Sequence, residues 1–78
     1  MGRREALLAR FRSVGVERVQ RMEALVLEAL RAPLSEEAAE TLAREAHTLK
    51  GEAYVVGLER LGDGCHDLET HLEAQANP

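Results

Sequence analysis

His47 and Lys50 stand three residues apart in the stretch EAHTLKGEAYVVG, and Lys50 is the single lysine in a chain whose other basic side chains are nine arginines. Residues three, four and seven positions along a helix share a face, so His47, Lys50, Gly51 and Tyr54 form one patch if this stretch is helical. An imidazole can serve as a nucleophile or proton carrier near neutral pH. An ammonium one turn away can neutralise the oxygens of a phosphoryl group arriving at the ring, and charge stabilisation of that kind is most of what phosphoryl transfer requires. Gly51 in mid-helix costs about 1 kcal/mol relative to alanine, so a steric use is the better explanation: beside an exposed ring, a residue without a side chain leaves room for something bulky.

A second pair, His66 and Glu69, has the same spacing of three. The Glu69 carboxylate can accept a hydrogen bond from one ring nitrogen of His47, fixing the tautomer and leaving the other nitrogen's lone pair free to attack. Lys50 opposes protonation of the ring and Glu69 favours it, two influences of opposite sign.

This chemistry needs two helices held side by side. The buried stripe of the second helix, predicted over residues 35–56, is Ala39, Leu42, Ala46, Leu49, Ala53 and Val56, in steps of three and four. Ser35 followed by Glu36 and Glu37 is a helix start, and Gly57 is a natural stop. His47 lies about 100° from Ala46 and faces solvent. A third helix over 58–74 repeats the pattern with Leu58, Leu61, Cys65, Leu68 and Leu72, although Gly62 and Gly64 mark its first turns as frayed, kinked or closely packed. An antiparallel pair turning at Gly57 brings His47 level with the 66–69 region, each about ten residues from the turn. Residues 75–78 read as a polar tail or linker.

The first helix is predicted over 3–31, with Leu8, Phe11, Val19, Met22, Val26 and Ala29 on its buried face. Gly15 either weakens one long helix, the favoured reading, or hinges two. Short connections make the whole an all-α, antiparallel up-down bundle of three long helices, or four if the first is broken near Gly15. At 78 residues there is room for one domain.

Charge and composition exclude several classes. Residues 1–21 carry six arginines against two glutamates, whereas residues 35–78 carry ten acids against three bases, so the half with the histidines is acidic. With one Phe, one Tyr and no Trp, a nucleic-acid surface is not expected. No apolar run approaches the roughly 20 residues that span a bilayer, and no signal-peptide core follows the Arg-rich start, so no membrane partner and a cytoplasmic location are expected. Cys65, the lone cysteine, reads as a small core residue. His71 falls some 140° from His66 around its helix and reads as simply exposed.

The run H-T-L-K-G-E-A-Y-V-V-G-L, followed by H-D-L-E at 66–69, resembles histidine phosphotransfer domains, most closely those at the N-terminus of chemotaxis-type histidine kinases. The resemblance covers the chain from about Val14 to Ala74. It implies that His47 is the phosphorylated residue, that Lys50, His66 and Glu69 support it, and that Gly51 gives clearance. It further implies a partner kinase domain that uses ATP and Mg, a receiver-domain aspartate as acceptor, and no cofactor or metal held by this domain. Docking is expected on Arg44, His47, Lys50, Gly51 and Tyr54 with the neighbouring rim of the third helix, and the chain is expected to be the front end of a larger kinase. The sequence departs from the family in two ways. Glu52 follows the Lys-Gly pair where a small residue is usual, and at i+5 it points away from the ring. The family's usual four-helix core would also need either a break at Gly15 or a cover for an apolar groove, supplied by a second copy or by downstream sequence.

Two other functional classes fit parts of the pattern. A helical metal site could use His47, His66 and Glu69, although Lys50 would be an unwelcome cation beside it. A dimerisation or adaptor module without phosphotransfer would keep the helices and not need His47.

Overall fold

The computed structural model describes residues 2–76, and every regular element among them is a helix: α1 (Arg3–Ala29), α2 (Glu36–Val55) and α3 (Glu59–Ala76). They form an all-α antiparallel bundle, elongated at 46 × 20 × 17 Å. α2 is the middle element. It packs against both neighbours, whereas no Cα of α1 lies within 8 Å of one in α3.

α2 begins as its sequence predicts. The Ser35 hydroxyl accepts a hydrogen bond from the Ala38 N–H at 3.1 Å, and Glu36 and Glu37 occupy the positive end of the helix dipole. Leu42, Ala46, Leu49 and Ala53 are buried along one face, with Val56 just past its end. Leu42 and Leu49 each contribute about 1.5–3 kcal/mol through removal from water, and the alanines let the flanking helices come close. The helix ends on Gly57 at φ +82°. There the Leu58 N–H donates to the Ala53 carbonyl at 2.8 Å and the Gly57 N–H to the Tyr54 carbonyl at 3.2 Å, a paired cap that a left-handed glycine permits.

α1 is continuous through Gly15, so the described residues form three helices rather than four. Gly15 is buried beneath the ring of Phe11, which a β-carbon there would meet at 3.4 Å. The face that α1 turns inward is Leu8, Phe11, Gly15, Arg18, Met22 and Leu25, each at least half-buried. This corrects the predicted stripe: Val19, Val26 and Ala29 are exposed. The true stripe keeps its three-and-four spacing by passing through a glycine and an arginine. Arg18 is inward because its guanidinium reaches α2, pairing with Glu45 and, through Nε, with Glu52 Oε1 at 3.0 Å; Arg21 Nε adds a contact to Glu45 Oε1 at 3.3 Å. Burial pushes the Glu45 carboxyl up, but Arg21 and Arg18 outweigh it and hold the group below its ordinary value.

On α3, Cys65 is buried and Leu68 and Leu72 are half-buried, joining Met22, Leu42, Ala46 and Leu49 in one core. Burial pushes the Cys65 thiol up, with the Glu69 charge adding to it. Leu58 and Leu61, expected inside, stay more than a third exposed because no described residue covers that side of the bundle. The weak first turns of α3 are closely packed rather than frayed: Gly62 is buried under the Tyr54 ring. α3 also continues past the expected tail to Ala76, with His71 and Gln75 joined across its last turn at 3.0 Å. Asn77 and Pro78, the rest of that tail, lie outside the described residues. Among the described residues no helix is long and apolar enough to cross a membrane.

Candidate functional site

The tight cap at Gly57 sets the register between α2 and α3, and that register places Glu69 beside His47. The ring's Nδ1 lies 3.1 Å from Glu69 Oε2. The histidine side chain is 70% exposed and the glutamate only 17%, so the carboxylate is a fixed post and the imidazole projects from it. Lys50, 22% exposed and one turn further along α2, puts its ammonium 2.7 Å from the other oxygen, Oε1. That contact is a close meeting of charges rather than an aligned hydrogen bond, and Oε1 is otherwise buried.

The Lys50 ammonium is the largest influence on Glu69. Burial works against it, the His47 ring reinforces it, and the net effect holds the carboxyl below its ordinary value. Glu69 is therefore ionised at neutral pH and can only accept hydrogen bonds. Nδ1 of His47 must carry the proton and donate it, which leaves the lone pair on Nε2, the nitrogen with no partner among the described residues. One carboxylate thus orients the ring and anchors the lysine.

The remaining predicted residues divide. His66 is exposed on α3, and its ring makes no hydrogen bond to His47, Lys50 or Glu69; its carbonyl accepts the Thr70 hydroxyl at 3.1 Å. The joined group is therefore His47, Lys50 and Glu69, without His66. Arg44 is exposed one turn before His47. At Gly51 a β-carbon would meet nothing within 4 Å, so the helix surface one turn beyond the ring is open. Glu52 points to α1, where it holds Arg18, and stays clear of the ring.

Sequence reasoning missed Asp63. The Tyr54 hydroxyl donates to Asp63 Oδ1 at 2.6 Å while its ring lies across Gly62, so this tyrosine is tied to α3 rather than loose at the rim. The Asp63 hydrogen bond is the main reason the phenol is pushed up to about 12. The same antiparallel register that pairs His47 with Glu69 sets Tyr54 level with Gly62, so extending it two helical turns would have found the contact. His47, His66 and Glu69 do not converge as a metal site needs, and no group of three His, Cys, Asp or Glu side chains among the described residues could hold a metal ion.

The family model described as the Hpt domain matches residues 6–78. A gliding motility regulatory protein of Myxococcus xanthus is 39% identical over 72 residues, which cover 92% of this chain and 9% of that protein. No solved structure matches the chain. The chain thus spans under a tenth of the length of the curated relative it matches.

Proposed function

Because the chain belongs to the Hpt domain family and is a histidine phosphotransfer module, we propose that His47 is its phospho-acceptor, with Glu69 as positioning residue and Lys50 as charge partner. The observation that carries this reading is the 3.1 Å contact between Nδ1 and a half-buried, ionised carboxylate, with the ring otherwise exposed.

The steps follow from that geometry. The Nε2 lone pair attacks the γ-phosphorus of ATP held by a separate kinase domain; an N–P bond forms, the P–O bond to the leaving ADP breaks, and its electrons go to ADP. The ring becomes cationic as the bond forms, and the Glu69 carboxylate on Nδ1–H stabilises that charge where it develops. Lys50 keeps Glu69 ionised, and its remaining N–H groups lie one turn from the incoming phosphoryl oxygens. Return transfer reverses the electron flow: a receiver-domain aspartate oxygen attacks phosphorus and the N–P pair returns to Nε2.

An Hpt domain is not an enzyme by itself and works with kinase and receiver domains. For this chain we assign docking to the outer face of α2 at Arg44, Gly51 and Tyr54, where the open surface at Gly51 admits a partner's backbone beside the ring. The domain needs no cofactor or metal of its own, ATP and Mg belonging to the kinase. A cytoplasmic location and membership of a larger histidine kinase complete the reading. Incubation with a histidine kinase domain and ATP, followed by mass spectrometry under alkaline conditions, is expected to find one acid-labile phosphate on His47 and none on His47→Gln. Phosphate on His66 or His71 instead would refute the assignment.

A further inference from the structure

The seam between α2 and α3 repeats one arrangement at two levels. Seven residues on from His47, close to two full turns, Tyr54 stands on the same face of α2; seven residues back from Glu69, Gly62 stands on the same face of α3. The levels lie about 10.5 Å apart along the seam. At one of them the Glu69 carboxylate meets the His47 ring. At the other, position 62 has no side chain and the Tyr54 ring fills its place, since a β-carbon there would fall inside the ring's contact distance. The hydroxyl then reaches past Gly62 and donates to Asp63 Oδ1 at 2.6 Å. Gly62 is buried under a tyrosine that is itself 43% exposed.

Resting on the reading of His47 as phospho-acceptor, we propose that Tyr54 and Asp63 are positioning residues for phosphotransfer: together they fix the rotation of α3 about its own axis and so keep Glu69 on Nδ1 of His47. The geometry at His47 calls for such a hold. Cys65, Leu68 and Leu72 meet Leu42, Ala46 and Leu49 through apolar contacts, which are non-directional and set the distance between helices more firmly than their rotation. A hydrogen bond is directional. Side chains reach about 6 Å from a helix axis, so turning α3 by about 15° carries the Glu69 carboxylate about 1.5 Å sideways, enough to take a 3.1 Å contact to the limit of a hydrogen bond or past it.

The Tyr54 level resists that turn in both senses. One sense stretches the bond to Asp63, and the other drives Asp63 and the backbone at Gly62 into the ring. The tether also holds across the working range of the chemistry: Asp63 is the main reason the phenol is pushed up to about 12, so Tyr54 keeps its proton and goes on donating at neutral and mildly alkaline pH.

The test reads the nitrogen chemical shifts of the His47 ring and the rate of its phosphorylation by phosphoramidate, a donor too small to need a docking face. Tyr54→Phe keeps the ring and removes the bond, and Asp63→Ala removes it from the other side. Each is expected to slow phosphorylation by about three- to tenfold, because a misplacement of about 1 Å can cost as much as 100-fold, and to move part of the ring population away from the Nδ1–H tautomer. The double variant is expected to be no slower than the slower single, since both break one bond. Asp63→Asn, whose amide oxygen still accepts, is expected to restore the native tautomer and most of the rate. In a Glu69→Gln background, Tyr54→Phe is expected to cost nothing further, because it acts through that carboxylate. Native rate and native tautomer in both single variants overturn the proposal. So does a Tyr54→Phe effect as large in Glu69→Gln as in the native chain. A native chain that takes no phosphate on His47 refutes the acceptor assignment instead, and the nitrogen shifts, which need no phosphate, still decide the positioning.

Discussion

Glu69→Gln changes one oxygen for nitrogen and little else, which makes it the sharpest test of the site. In the native chain the carboxylate accepts from Nδ1 of His47 at 3.1 Å and meets the Lys50 ammonium at 2.7 Å. The amide keeps the shape but loses the charge. Its NH2 group can turn toward Nδ1 and donate, which favours the tautomer with the proton on Nε2 and blocks the attacking lone pair. A hydrogen bond to a charged group has a net worth of about 1.5–3 kcal/mol, and the developing imidazolium needs that charge more than the resting ring does. At 1.4 kcal/mol per tenfold, phosphorylation of His47 is expected to slow by roughly 10- to 150-fold. The assay is the rate of phosphohistidine formation, with a kinase domain and with the small donor phosphoramidate, beside the nitrogen chemical shifts of the His47 ring. A variant that phosphorylates at the native rate with an unchanged tautomer would show that Glu69 is a bystander.

Lowered carboxyls also set the acid limit of the fold. Glu45 and Glu69 both ionise below the ordinary 4.5 when folded, so their contribution is fully present above about that pH and is lost as pH falls through their lower folded values. Urea midpoints are expected to fall with pH in that window, and less steeply in Glu45→Gln; equal slopes would contradict the Arg18 and Arg21 pairing. Tyr54 is the only tyrosine and there is no tryptophan, so phenolate absorbance reads it alone. It is expected to titrate at about 12 and, in Asp63→Asn, to move back toward 10. Because the folded value is raised, the stability linked to this phenol is present below pH 10 and lost as pH rises through about 12. Gly51→Ala, in open space, is expected to stabilise the chain by about 0.5–1 kcal/mol, whereas at Gly62 the new carbon would meet the Tyr54 ring below contact distance and displace it. Thermal melts separate the two, and the Tyr54 titration shows whether Gly62→Ala has freed the phenol.

The contact between His47 and Glu69 was legible in the sequence because it depends on few things. One is the helical period of α2 and α3, and another is a turn short enough to force antiparallel neighbours. Counting outward from Gly57 then fixes the level of each side chain. Lys50 was placed on the correct face, but its engagement with Glu69 was not foreseen. Spacing gives the face of a long side chain and not which of several acceptors it reaches. His66 shared the spacing of Glu69 and still stayed outside, since a side chain at the edge of a helix face can turn to solvent at no cost.

The chain's own order of residues determined that there would be helices, where α2 begins and stops, and which face of α2 is buried, because apolar period, a hydroxyl cap and a left-handed glycine are local properties. Tertiary structure alone decided which face of α1 turns inward. α1 carries apolar residues on two faces, and the one rich in valine loses to a stripe that includes a glycine and an arginine. Phe11 can fold over Gly15 only there, and Arg18 can reach Glu45 and Glu52 only from there. That choice depends on what the opposing helix offers at each level, and no periodicity within a single helix contains it.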